Sequence, residues 1–332
     1  MVLLGAPYFY AIDMKTFAFV FPGQGSQSVG MLDAWGDDPV VRDTLAEASA
    51  ALGQDLGALI HAGPKEDLAL TTNTQPVMLV AAVAAYRVWR AQGGAAPAFV
   101  AGHSLGEYSA LVASGVLSLA QAVPLVRLRA QAMQEAVPVG TGAMAAVLGL
   151  PSENVNAICQ QAQDHFGPGS AEVVQAANFN DPGQTVISGS KAAVEKACEL
   201  LKAAGAKRTL PLPVSAPFHC ALMKPAAERL RLALADVAFQ TPSIPLINNI
   251  DVASPSGADD IRDALYRQAF GPVRWVEVIR AMHQRGVGLV VECGPGKVLA
   301  GMTPRIDANL QAAPLFDPTT LAQVQALLAT QP

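Results

Sequence analysis

Apolar and polar positions alternate along this chain on two different scales. Thr16 to Phe21 (TFAFVF) is a short apolar run closed by Pro22 and Gly23, which predicts a strand buried on both faces and feeding a tight loop. Ala98 to Gly102 predicts a second buried strand. Leu105 to Ser114 follows with helical spacing and stops at Gly115, a residue suited to ending a helix. Gly288 to Cys293 (GLVVEC) predicts a third strand, followed by Gly294-Pro295-Gly296 and another helical pattern. Strands alternating with helices predict an α/β fold with a largely parallel sheet.

The middle of the chain reads differently. Ala143 to Leu210 gives strand (AMAAVLGL), a helix N-capped by Ser152, strand (EVVQAAN), strand (QTVISG), a helix over Lys191 to Ala204, and strand (KRTLPL). This βαββαβ order is that of ferredoxin-like domains. Turn-rich segments at Pro138 to Gly142 and Pro211 to Pro213 bound it. The predicted organisation is a large α/β-hydrolase-like domain, residues 14–139 and 212–332, into which a small ferredoxin-like domain, residues 140–211, is inserted. Residues 1–13 are apolar, but the first positive charge, Lys15, follows rather than precedes them, and no A-x-A cleavage pattern appears. They read as a dispensable extension, not a signal peptide.

Composition narrows the function classes. With 332 residues, 51% hydrophobic and 15% charged, the chain can bury one large core or two smaller ones and is too apolar for disorder. A net charge of -5 offers no general attraction to nucleic acid or anionic lipid. Apolar runs such as Val77 to Tyr86 fall well short of a membrane span. Cys159, Cys198, Cys220 and Cys293 are scattered without a CxxC pair, as expected of reduced thiols in the cytoplasm. No metal-ligand cluster and no bound redox cofactor is expected.

Gly102-His103-Ser104-Leu105-Gly106 fits G-x-S-x-G between a predicted strand and a predicted helix, the setting of a nucleophile elbow. The glycines permit a sharp turn, and the helix aims its first amides at a developing oxyanion. A serine nucleophile needs a base, so the five histidines form the shortlist. His61 and His165 sit in polar, turn-rich segments, His283 lies on a charged helix, and His103 points across the turn from the serine. His219 remains, in a loop restricted by Pro217. Gly23-Gln24-Gly25-Ser26-Gln27 lacks the last glycine of a dinucleotide fingerprint, and Gly294-Pro295-Gly296-Lys297 lacks the features of a phosphate loop. Both loops can still present backbone amides to a site. Arg127 and Arg129 are two apart on an apolar helix, so they face different directions. Either could be solvated, and a buried one needs an anion.

Together these residues resemble the bacterial malonyl-CoA:acyl-carrier-protein transacylases, from about Thr16 to Ile306. The matching motifs are FPGQGSQ (Phe21 to Gln27), TQP (Thr74 to Pro76), GHSLGEYSAL (Gly102 to Leu111), RxxxMQ (Arg129 to Gln134) and GTGAMAAV (Gly140 to Val147). NFNDPGQ (Asn178 to Gln184), FHCALM (Phe218 to Met223), Asn248-Asn249, Arg267-Gln268 and GPGKVL (Gly294 to Leu299) continue them.

The resemblance implies a ping-pong transfer of malonyl from malonyl-CoA to the phosphopantetheine thiol of acyl carrier protein, supplying fatty acid synthesis. It implies Ser104 as nucleophile, His219 as base, and the Gln268 main-chain carbonyl in place of a triad acid. Amides of Gln24 and Leu105 would form the oxyanion hole, Arg129 would hold the malonyl carboxylate, and Gln75, Met133 and Phe218 would line the substrate site. Phe218 and Leu105 resemble malonyl-type rather than methylmalonyl-type sites, although Pro217 departs from the local motif. Lys202, Lys207 and Arg208 form the best basic cluster for an acidic carrier protein, and a monomer is expected. Two alternatives stand beside this: a serine esterase or thioesterase of the α/β-hydrolase type, and a noncatalytic carrier-binding module.

Overall fold

The computed structural model describes residues 16–329, so the expected extension at residues 1–13 lies outside the described residues. The chain opens with β1 (Phe17–Phe21), α1 (Pro39–Leu52), α2 (Leu56–Ala62), α3 (Lys65–Ala69), α4 (Thr71–Ala91), β2 (Phe99–Gly102), α5 (Gly106–Ala113) and α6 (Leu119–Glu135). A second group follows: β3 (Gly142–Leu148), α7 (Ser152–Asp164), β4 (Val174–Asp181), β5 (Gln184–Ser190), α8 (Lys191–Ala203) and β6 (Arg208–Pro211). The chain continues through α9 (Lys224–Ala235), α10 (Ala258–Phe270), α11 (Trp275–Gln284), β7 (Leu289–Cys293), α12 (Val298–Ile306), β8 (Gln311–Leu315) and α13 (Pro318–Ala329).

The first sheet is parallel throughout, in the order β2-β1-β7-β8. Every residue of β1 and β7 is buried, which is why β1 reads as a continuous apolar run and β7 as one interrupted only by Glu292, whose Oε2 accepts the Ala300 N–H. The two-residue period divides β1 between two cores. Phe17, Phe19 and Phe21 join the cluster containing Val77 to Trp89 of α4, whereas Ala18 and Val20 meet Trp275, Ile279 and Met282 of α11. The Phe19 ring meets Tyr86 and Trp89 edge-on at 5.8 and 5.7 Å. Edge strand β8 went unread in the sequence, because its own Pro314 and small residues hide it. An edge position is where a sheet tolerates proline.

The second sheet is antiparallel, in the order β4-β5-β3-β6. Ala145, Val147 and Ile187 face α7 and α8, and Met144, Ala146 and Val186 face Leu212, Val214 and Phe218. One correction applies locally. Ser152 is the first residue of α7 rather than its N-cap; extended Pro151 takes that place without a side-chain cap, and Ser152 Oγ instead lies 3.2 Å from Thr185 Oγ1.

Main-chain hydrogen bonds and an ion pair are among the contacts that tie the second sheet to the first body. The Phe179 N–H donates to the Val273 carbonyl (2.9 Å) and the Val273 N–H to that of Ala177 (2.8 Å). Arg305 pairs with Asp181 at 2.9 Å. Beyond β2, the main chain at Pro245 to Ile247 exchanges hydrogen bonds with Val100, which delivers Asn248 and Asn249 to the C-terminal edge of the parallel sheet.

Candidate active site

Ser104 stands between β2 and α5 with a φ of 53°, in the left-handed region that side chains rarely adopt. The turn holds because its flanking glycines lack side chains. A Cβ at Gly102 would lie 1.9 Å from the Gly106 carbonyl group, and one at Gly106 would lie 2.1 Å from the Phe21 oxygen. The Ser104 N–H donates to Asn249 Oδ1 at 2.8 Å, which fixes the turn from outside.

Ser104 Oγ lies 2.6 Å from His219 Nε2. His219 Nδ1 lies 2.9 Å from the Gln268 carbonyl and 3.2 Å from that of Gly271. Carbonyls only accept, so the proton sits on Nδ1 and Nε2 is free to accept the hydroxyl proton. Gln268 lies in the last turn of α10, where carbonyls have no partner within the helix and carry its partial negative charge. The helix end can therefore orient the imidazole and stabilise its protonated form without a carboxylate. His219 is 4% exposed; burial, and then the Arg129 cation, push its pKa down to about 3. Both effects favour the neutral imidazole.

Arg129 of α6 is 3% exposed, and its hydrogen-bond partners are all neutral. Nη1 donates to Gln75 Oε1 at 2.7 Å, and Nη2 donates to Gln268 Oε1 and to Ser104 Oγ, both at 3.2 Å. Its guanidinium also lies 5.6 Å from the centre of the Tyr108 ring. Its Nε is buried with no acceptor among the described residues. Arg127, two residues earlier, turns the other way to Gln54 and Asn73. The two arginines diverge as helical spacing requires, and the inward one is Arg129.

Ser104, His219, Gln268, Arg129 and Gln75 thus form one hydrogen-bonded group. Met133 is buried one turn beyond Arg129, and half-buried Phe218 packs beside His219 between the two cores. Among the described residues, neither the Gln24 N–H nor the Leu105 N–H has a protein acceptor. Gln24 follows β1 and Leu105 heads α5, so both amides belong to the loops that meet at the elbow. A cavity of about 500 Å³, lined in part by Cys159, Gln163, Phe179, Phe270 and Arg274, opens onto His219 between the second sheet and the large body.

The remaining candidates fall elsewhere. Lys202, Lys207 and Arg208 are exposed, and the Lys207 N–H bonds to the Leu148 carbonyl, at the opposite end of β6 from the segment leading to His219. His61 pairs with Asp33, His283 pairs with Asp307, and His165 is exposed. His103 is turned away from Ser104, with Nε2 2.8 Å from Asn180 Oδ1 on β4 and its ring 5.4 Å from Trp275. Sequence reasoning gave no role to Glu107, Asn249 or Asn180. Their only signal was membership in the GHSLGEYSAL, Asn248-Asn249 and NFNDPGQ stretches. Among the described residues, no cluster of histidine, cysteine or acidic side chains could hold a metal ion.

The acyl transferase domain family matches residues 18–305. The chain is 55% identical over 310 residues to the malonyl CoA-acyl carrier protein transacylase of Escherichia coli K12, covering 93% of this chain and 98% of that one. The chain belongs to this family of acyl transferases. Its relative in Bacillus subtilis 168, of the same name, is 42% identical over 309 residues, covering 93% and 96%. The crystal structure of an acyl-carrier-protein S-malonyltransferase from Burkholderia pseudomallei superposes with a TM-score of 0.90 at 60% identity, covering 94% of this chain and 99% of that one. A malonyl-transacylase in complex with its type II polyketide acyl-carrier protein gives 0.89 at 51% identity, covering 92% and 98%. This acyl transferase has no helix, among its described residues, long and apolar enough to cross a membrane.

Proposed function

We propose that this acyl transferase moves malonyl groups from malonyl-CoA to the phosphopantetheine thiol of acyl carrier protein for fatty acid synthesis, as the names of its relatives suggest. One observation carries the reading: a buried guanidinium with only neutral partners lies one hydrogen bond from the nucleophile. A malonyl chain attacked at its thioester by Ser104 has a free carboxylate at its other end, and Arg129 supplies the charge for it.

In the first half-reaction Ser104 Oγ attacks the thioester carbonyl as its proton passes to His219 Nε2. The Gln24 and Leu105 N–H groups stabilise the tetrahedral oxyanion, where losing one donor typically costs about 10²–10³ in rate. The C–S bond breaks, coenzyme A leaves as its thiol with the proton from His219, and malonyl remains as an ester on Ser104. In the second, His219 takes the proton of the carrier thiol, the thiolate attacks the ester carbonyl to form the new C–S bond, the bond from the acyl carbon to Ser104 Oγ breaks, and His219 returns the proton to Oγ. The malonyl carboxylate also offsets the Arg129 cation beside the imidazole, making His219 more basic in the loaded site than in the empty one. Acetyl-CoA would bury Arg129 unpaired, a penalty of about 3–5 kcal/mol or a few hundred- to a few thousand-fold.

Apolar Leu105, Met133 and Phe218 keep water from the ester, and the bulk of Phe218 disfavours an α-methyl branch. Residues 140–211 act as an inserted ferredoxin-like domain and one wall of the cleft, supported by the strand order of the second sheet. Lys202, Lys207 and Arg208 are the docking patch for the acidic carrier, the enzyme works in the cytoplasm, and no bound cofactor takes part. Intact-protein mass after brief exposure to malonyl-CoA tests the reading. A single malonyl adduct, absent with acetyl-CoA and discharged by carrier thiol faster than by water, is expected; equal discharge by water would point to an esterase instead.

A further inference from the structure

A carboxyl group buried beside the site has so far been given no role. Glu107, in the first turn of α5, is 1% exposed, and burial pushes its pKa up to about 7. An acid in such a place is unfavourable unless its oxygens are used. Glu107 Oε2 accepts two hydrogen bonds, each 3.0 Å long, from the Asn249 N–H and from Gln268 Nε2.

Each donor leads to a different half of the site. Asn249 Oδ1 accepts the Ser104 N–H at 2.8 Å, and its Nδ2 donates to the Gly102 carbonyl at 2.7 Å, so Asn249 grips both ends of the elbow. Gln268 donates from Nε2 to the Ser104 carbonyl at 3.0 Å, accepts Arg129 Nη2 on Oε1 at 3.2 Å, and offers its main-chain carbonyl to His219 at 2.9 Å. The donors and acceptors of both amides are thereby fixed. One carboxylate oxygen joins the two halves.

We propose that Glu107 is a positioning residue that holds the base and the carboxylate-binding arginine in register with the nucleophile, through its shared acceptor oxygen on Asn249 and Gln268. This rests on the malonyl-transfer reading above. Glu107 touches no reacting atom; it acts through Gln268 and Asn249. Removing the acceptor would leave a buried Gln268 N–H and a buried Asn249 N–H short of a partner, and both would shift to recover one. A displacement of about 1 Å at a reacting group is enough to slow a reaction roughly 10²-fold.

Glu107→Gln keeps the shape and one acceptor oxygen; Glu107→Met keeps the shape without any. Single-turnover malonylation is followed by intact mass, with rates normalised to the protein that loads and folding checked by melting temperature. The Met variant should acylate about 10²-fold more slowly and lose roughly tenfold of its preference for malonyl-CoA over acetyl-CoA, whereas the Gln variant should stay within about threefold of the parent. A purely structural role would lower the loadable fraction and leave the normalised rate unchanged. A Met variant at the parent's rate, or a Gln variant as slow as Met, would overturn the proposal. If Met does not fold, Glu107→Asp, which withdraws the acceptor by one methylene, must slow acylation about tenfold. A parent enzyme that formed no malonyl ester would defeat the transfer reading instead.

Discussion

The two sheets solve opposite problems. At the C-terminal edge of the parallel sheet, Glu107, Arg129, His219, Asn249 and Gln268 hold buried polar groups around half-buried Ser104, with two of the six, Ser104 and His219, at positive φ. The antiparallel sheet places apolar side chains on both faces, one against α7 and α8 and the other against the segment leading to His219. The difference teaches where strain and stability reside. The first region accepts backbone strain and desolvated charge to gain chemistry, and the second supplies packing that keeps the wall in place.

The contrast is broken most severely at Ser104. Ser104→Gly should abolish the malonyl adduct and lower transfer by about 10⁶-fold. The same change should raise stability by on the order of 1 kcal/mol, because glycine accepts a φ of 53° without strain. Paired measurements of rate and urea midpoint test this; a destabilised Gly variant would mean that the elbow is not strained.

Next in size, Arg129→Met should erase most of the preference for malonyl-CoA over acetyl-CoA, a loss of roughly 10²–10³-fold in the ratio of kcat/KM values. In the other region, Ile187→Ala should cost about 2–5 kcal/mol by opening a cavity between β5 and the helices, with kcat per folded molecule nearly unchanged. A large kcat effect there would show that the wall takes part in the chemistry.

Stability should also depend on pH through groups of opposite sign. Glu107 and Glu292 are raised by burial to about 7, so their contribution is fully present below about 4.5 and is lost as pH rises through 7. His219 is lowered to about 3, so its contribution is full above about 6.5 and is lost as pH falls toward 3. Unfolding free energies of Glu107→Gln and the parent should therefore diverge in favour of the variant as pH rises from about 4.5 through 7, by on the order of 1–3 kcal/mol. Parallel curves would mean that the fold does not raise the pKa of Glu107. The smallest effect belongs to the surface. Reversing Lys202, Lys207 and Arg208 should raise the KM for carrier protein several-fold at low salt, each charge being worth about 0.2–1 kcal/mol, while malonyl loading stays intact.

The chain's own pattern revealed the strands whose neighbours bury them on both sides, because β1 has no polar position and β7 only Glu292 to interrupt an apolar run. It hid β8, where an edge position lets Pro314 stand in a strand. Helical spacing required Arg127 and Arg129 to diverge, but which one turned inward depended on Gln75 and Gln268, far away in sequence. Lys202, Lys207 and Arg208 are near His219 along the chain, and the fold places them at the other end of β6 from the segment that leads to it. Glu107 looked like an ordinary helix acid. Its surroundings come from Asn249 and Gln268, more than 140 residues later.

The seam between the two bodies has one further consequence. Val273 joins β4 by a reciprocal pair of main-chain hydrogen bonds with Ala177 and Phe179, a connection that does not depend on which side chains those positions carry. Side chains bordering the crevice can therefore be exchanged while the second sheet stays attached to the parallel one. A directed-evolution campaign at this seam would do well to randomise those side chains and leave the peptide lattice beneath them alone.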